Sequence, residues 1–194
     1  ISSSILATMD SSLGKELKKV LVRDLGFNFY LSHQVKGVVS DSKSVELVAV
    51  SNSEETIKLK GDYCLVSIGR KAYTDDLNLD AVGIPVSETG QIEVNDKLQT
   101  SQSNIYAIGD VVSGPMLAHK AEEEGVFVAE SISGQKPEIN HHLIPSVVYT
   151  WPEVASVGFT EEQLKEMGKE IKIGLFPFKA NGRAKISMDT DGFV

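Results

Sequence analysis

TSQSNIYAIGDVVSGPMLAHKAEEEG, residues Thr100 to Gly125, joins a short apolar run to a turn and then to a helical pattern. The run Ile105-Tyr106-Ala107-Ile108 has the length of a buried strand and stops at Gly109-Asp110. A carboxylate at the carboxyl end of such a strand lies where open α/β sheets gather their ligands. Ser113-Gly114-Pro115 then turns the chain, and Leu117, Ala121, Gly125 and Val128 recur close to helical spacing, which predicts a helix beginning at Met116 or Leu117. Its free N–H groups and positive dipole end would face the same crevice as Asp110. A hydroxyl acceptor beside an anion-favouring helix start suits a large polyhydroxylated cofactor with an electron-rich ring. The simpler alternative is that Asp110 caps the following turn and His119 is a partly exposed helix residue.

Composition narrows the classes of function. The chain has 194 residues, 41% hydrophobic and 24% charged, as in ordinary globular proteins with a real core. A net charge of −8 speaks against nucleic acid or an anionic membrane as partner, because either needs a clustered basic face. No apolar run approaches the length of a membrane span. The one cysteine, Cys64, excludes an intrachain disulfide and a thiolate metal cluster. It falls in the β-like run Tyr63 to Ile68, which predicts a buried, inert thiol. The adjacent His141 and His142 have no carboxylate or cysteine at ligand spacing, so no metal site is expected.

Upstream, Asp10 or Ser11 can cap a helix carrying Leu13, Leu17, Val20, Leu21 and Leu25, with Gly26 as its stop. Strand-like runs follow at Phe27 to Leu31, Val45 to Val50, Thr56 to Leu59 and Tyr63 to Ile68, separated by turn residues. The polar stretch from Lys71 to Leu98 contains Val82 to Pro85 and Gln91 to Val94, which suggest a hairpin or edge strand. After Pro145, Ser146 to Thr150 and Val154 to Val157 read as strands. Thr160-x-x-Gln163 is a capping box, and Ile171, Ile173 and Leu175 alternate as in a third strand. Lys185 to Met188 leads into Asp189-Thr190-Asp191-Gly192, a hairpin-turn signal.

The strings NIYAIGDV and GPMLAHKAEEEG resemble the second flavin motif of the pyridine nucleotide-disulfide oxidoreductases, and MLAHKA is similar to the branch that reoxidises dihydrolipoamide. Ile68-Gly69-Arg70 resembles that family's nucleotide-domain element, and YTWPEVASVGFTEEQL its dimer-interface domain. The likeness extends from about Met9 to Val194. It implies an α/β chain: parts of FAD- and NAD(P)-binding Rossmann-like, three-layer domains, then the start of an α+β dimerisation domain. The implied divisions are 1–71, the C-terminal half of the NAD-binding domain; 72–144, the crossover and the C-terminal part of the FAD-binding domain; and 145–194, the opening of the interface domain. For FAD, the resemblance implies Asp110 on the ribityl chain, with Met116, Leu117, Ala118 and His119 along the pyrimidine edge, mainly through backbone groups. For NAD it implies Val35 beside the adenine and Gly69 where the backbone approaches the nucleotide. Core packing is the alternative for Val35.

The resemblance further implies electrons running from a dithiol through FAD to NAD, in a homodimer serving lipoyl domains and other subunits of a 2-oxoacid dehydrogenase complex. Its setting would be the cytoplasm, or the mitochondrial matrix in a eukaryote. Neither GxGxxG, nor CxxxxC, nor HPxxxE occurs in the sequence, so no catalytic residue is assigned and a central piece of a longer polypeptide is expected. A glutathione-, mercuric- or transhydrogenase-type relative, or a non-catalytic nucleotide-binding or assembly module, remains as an alternative.

Overall fold

Apolar residues at helical spacing and a terminal glycine build the first element of the computed structural model, which describes residues 2–194. Helix α1 spans Ser11–Leu25 and buries Gly14, Leu17, Val20 and Leu21. Gly26 ends it in the left-handed conformation, φ 65°, where a glycine carries no Cβ penalty. Asp10 occupies the N-cap position, but its carboxylate accepts from the Glu161 N–H at 2.7 Å instead of capping α1. Met9, Leu17, Leu21 and Val154 form a core cluster against which Leu13, Phe29 and Val148 pack.

The chain divides into two compact units, the first reaching Val66 and resuming at Val147–Val194, the second Ser67–Ser146. In the first, β1 (His33–Ser40), β2 (Val45–Ser51) and β3 (Thr56–Gly61) make an antiparallel meander in that order. Asp41 fixes its first turn by accepting from the N–H groups of Lys43 and Ser44 at 2.7 and 2.8 Å. A register shift between Val35 and Gly37 interrupts the β1–β2 ladder. Two short strands, β4 (Ser146–Val148) and β5 (Val154–Ser156), pair with each other.

Four expected strands of this region and its edges are not strands. Phe27 to Leu31 is irregular, because Phe29 packs on the α1 cluster and lies under Lys18, which leaves the run as apolar cover. Tyr63 to Ile68 is irregular too, with Tyr63 95% and Ile68 91% exposed, since no described strand pairs with it. Cys64 is accordingly half-exposed, not buried. The alternation at Ile171 to Leu175 forms no ladder. Lys185 to Met188 belongs mostly to a short helix: Asn181 accepts from the Ala184 N–H at 3.0 Å and starts a turn over Gly182–Ile186. Residues 192–194 pair back to 176–178 instead, with Phe176 and Val194 exchanging backbone bonds of 2.6 and 2.9 Å. The capping box does form. The Thr160 hydroxyl accepts from the Gln163 N–H, and the Gln163 side chain accepts from the Thr160 N–H, opening a helix over Glu161–Glu166.

The second unit is loop-rich around α2 (Ala118–Ile132). Ile84, Ile92, Ala107 and Val112 are its core, with Leu79, Val94, Ile105 and Val111 packed on them. The expected hairpin is reduced to one bridge, Val86 to Ile92. The run Ile105 to Ile108 likewise meets Leu98 to Thr100 through one bridge, Gln99 to Tyr106, and two flanking backbone bonds, so it is extended without being a strand.

Candidate functional site

Gly109 and Asp110 open a 3-10 turn over Gly109–Val111, directly after the extended run. Gly109 has φ +74°, and a Cβ placed on it would stand 3.1 Å from the Ala121 Cβ, so the bare glycine lets α2 come close. Its N–H donates to Glu124 Oε2 at 2.7 Å, and its carbonyl accepts from Lys120 Nζ at 3.1 Å. Lys120 and Glu124 are 2.9 Å apart, each side chain 1% exposed, and His141 Nε2 adds a third partner 3.0 Å from Glu124 Oε1. Burial works against the charged form of Glu124. The bonds from Gly109, Lys120 and His141 outweigh it and hold the carboxyl below its ordinary range.

Neither of these two charges is among the site residues read from the sequence. The available signal was their place beside Leu117, Ala121 and Gly125, on the stripe that the helical spacing turns inward. The buried residues of α2 are Lys120, Glu124 and Phe127, with Leu117, Ala121, Gly125 and Val128 half-buried around them. No buried side-chain polar atom among the described residues lacks a partner.

Asp110 itself points outward, its side chain 51% exposed, with Arg70 Nη1 3.7 Å from its Oδ2. Arg70 also donates from Nη2 to the Met116 carbonyl at 2.5 Å, so the residue after Gly69 ties Asp110 to the approach of α2. The helix starts after Leu117, which is extended at φ −130°; no side chain caps it and no acidic residue lies in its first turn. The His119 ring donates from Nε2 to the Pro145 carbonyl at 2.6 Å, so that at His119 it is the backbone that remains at the helix start. Asp110, Met116, Leu117, Ala118 and His119 are thus assembled in one corner of the second unit. Gly69, φ +120°, has open space where a Cβ would be. Val35 belongs to the other unit, on β1 opposite Ala49, and is 51% exposed. His141 begins a 3-10 turn and faces Glu124, and no group of three metal-ligating side chains occurs among the described residues.

A family model described as pyridine nucleotide-disulphide oxidoreductase matches residues 1–125, and one for that family's dimerisation domain matches residues 144–194. Mitochondrial dihydrolipoyl dehydrogenase of Mus musculus is 47% identical over 188 residues, which is 96% of this chain and 37% of the relative. The Cupriavidus necator dihydrolipoyl dehydrogenase is 47% identical over 98% of this chain and 40% of its own length. The chain therefore spans well under half the length of these relatives. Among solved structures, the HOCl-induced flavoprotein disulfide reductase RclA from Escherichia coli matches with a TM-score of 0.84 at 28% identity, over 99% of this chain and 43% of that one.

Proposed function

The chain belongs to the pyridine nucleotide-disulphide oxidoreductase family, and from that premise we propose that it forms part of a dihydrolipoyl dehydrogenase using FAD and NAD. The observation that carries this reading is the 47% identity to dihydrolipoyl dehydrogenases over nearly the whole chain, with an exposed Asp110 fixed beside an uncapped helix start.

The residues present fit FAD. The Asp110 carboxylate is an accessible acceptor for a ribityl hydroxyl, and its contact with Arg70 is long and exposed, the kind worth about 0–1 kcal/mol and readily exchanged. Backbone N–H groups of Ala118 and His119 would meet the pyrimidine edge, next to Met116 and Leu117. There the positive end of α2 favours negative charge. Val35 and Gly69 would serve NAD, one against the adenine and one by close backbone approach. When bound, FAD accepts the electron pair released by dithiol oxidation and yields it to NAD as hydride. This chain's contribution is to hold and bias that group. The dithiol, the general base and the phosphate cradles are not encoded in its 194 residues.

The reading extends to organisation. Residues 1–71 would be the C-terminal half of the NAD-binding domain, 72–144 the C-terminal part of the FAD-binding domain, and 145–194 the opening of a dimerisation domain. The whole protein would be a homodimer that engages the lipoyl domains and other subunits of a 2-oxoacid dehydrogenase complex, in the cytoplasm or the mitochondrial matrix. No helix among the described residues is long and apolar enough to cross a membrane.

The test is the purified protein that carries this chain, assayed for bound flavin and for NAD reduction with dihydrolipoamide. A yellow protein that reduces NAD with dihydrolipoamide and leaves oxidised glutathione and mercuric ion unreduced is expected. Preference for glutathione or mercuric ion would overturn the assignment.

A further inference from the structure

The N–H of Gly109 lies on the peptide before its Cα and the carbonyl on the peptide after it, so the bonds to Glu124 and Lys120 pin both backbone dihedrals of one residue. The second of those peptides is the one that enters Asp110. Among the described residues the Asp110 carboxylate, by contrast, has only the long contact with Arg70. Its direction is therefore set from the backbone side.

Burying a lysine and a glutamate is costly, and apolar side chains of similar volume fill such space at lower cost. What a charge pair adds here is geometry, a donor and an acceptor spaced to grip one glycine. The surroundings are shaped to the pair. Gly114, φ +108°, sits where a Cβ would come within 3.0 Å of Lys120 Cε, so the turn before α2 leaves room for the lysine stem. His141 takes the second face of Glu124 Oε1.

We propose that the buried Lys120–Glu124 pair is a positioning device for Asp110, acting through the Gly109 backbone on the retention of flavin. The inference rests on the flavin reading of Asp110 given above.

A double-mutant cycle in the flavin-loaded whole protein tests it, with Asp110→Ala, Glu124→Gln and the two combined. The readouts are the flavin dissociation constant and the visible flavin spectrum. Glu124→Gln should weaken flavin binding about tenfold when Asp110 is present and less than about twofold in the Asp110→Ala background. Equal losses in both backgrounds would overturn the proposal, because the pair would then act on folding alone. If Asp110→Ala leaves flavin binding unchanged, the flavin reading of Asp110 fails and positioning falls with it, a result distinct from equal losses. Should Glu124→Gln not yield folded protein, Lys120→Met takes its place in the cycle. Amide exchange at Gly109 in flavin-free protein supplies a readout independent of the cofactor. It should accelerate about tenfold in either variant, and unchanged exchange there would also overturn the clamp.

Discussion

Lys120 and Glu124 stand one helical turn apart with Nζ and Oε1 separated by 2.9 Å, and each side chain is 1% exposed. Removing one partner of such a pair strands the other charge, which typically costs about 3–5 kcal/mol. Lys120→Met is expected to destabilise the whole protein by that order in urea unfolding. The combined Lys120→Met/Glu124→Leu should regain part of the loss but not all. The Gly109 N–H would remain buried without a partner, at about 1–3 kcal/mol, while its carbonyl would keep the Val112 N–H at 3.3 Å.

The same carboxylate gives a pH dependence of definite sign. The pKa of Glu124 is lowered from the ordinary 4.5. Its ionised form therefore adds stability that is fully present above that value and disappears as pH falls through the lower folded pKa. Unfolding measured from pH 7 downward should show a steeper acid loss in the native protein than in Glu124→Gln. Parallel curves would contradict the buried-carboxylate assignment. Asp24, Asp41, Glu162 and Asp191 are also lowered, so the comparison with the variant isolates Glu124.

How much of this was legible in the sequence differs by element. Helix α1 was, because Leu13, Leu17, Val20 and Leu21 repeat at one period and Gly26 marks its end; so was the Thr160–Gln163 box, a purely local exchange of bonds. Strands are non-local, and the same apolar run reads alike whether or not a partner lies beside it. Val45 to Ser51 has partners on both edges and forms the central strand of the meander, whereas Tyr63 to Ile68 has none among the described residues and stays irregular. At the candidate site, Gly109-Asp110 and the helix start within two residues of Met116 were legible. The clamp was not: the stripe of Leu117, Ala121 and Gly125 turns Lys120 and Glu124 inward, but the group they grip, the Gly109 peptide, lies more than ten residues away and is not named by the local pattern.

Asp110→Ala should lower flavin retention in the whole protein. A carboxylate accepting from a hydroxyl makes a charge-assisted bond worth about 1.5–3 kcal/mol, which corresponds to roughly ten- to 150-fold in affinity. Flavin absorbance after extensive dialysis measures it, and equal retention in native and variant protein would remove Asp110 from the site. Arg70→Ala should move flavin retention by less than about threefold, given the long and exposed contact it makes with Asp110.

The final prediction concerns the 194-residue chain by itself. Tyr63, Leu65, Val66 and Ile68 are 95, 90, 71 and 91% exposed along one irregular run, and Tyr149 and Trp151 are 84 and 73% exposed. An exposed apolar run that no strand covers favours association with a second chain. The isolated chain should therefore self-associate at low micromolar concentration, and Leu65→Lys with Ile68→Lys should shift it toward monomer by adding like charge at the run. Sedimentation velocity reads the outcome directly. A native chain that is monomeric at every concentration tested would show that the run is covered in solution. Because neither CxxxxC nor HPxxxE occurs in these residues, the same preparation should give no lipoamide-dependent NADH oxidation above a buffer blank. Solubilising the chain with the lysine substitutions should not restore it, which separates loss of activity by association from absence of the catalytic groups.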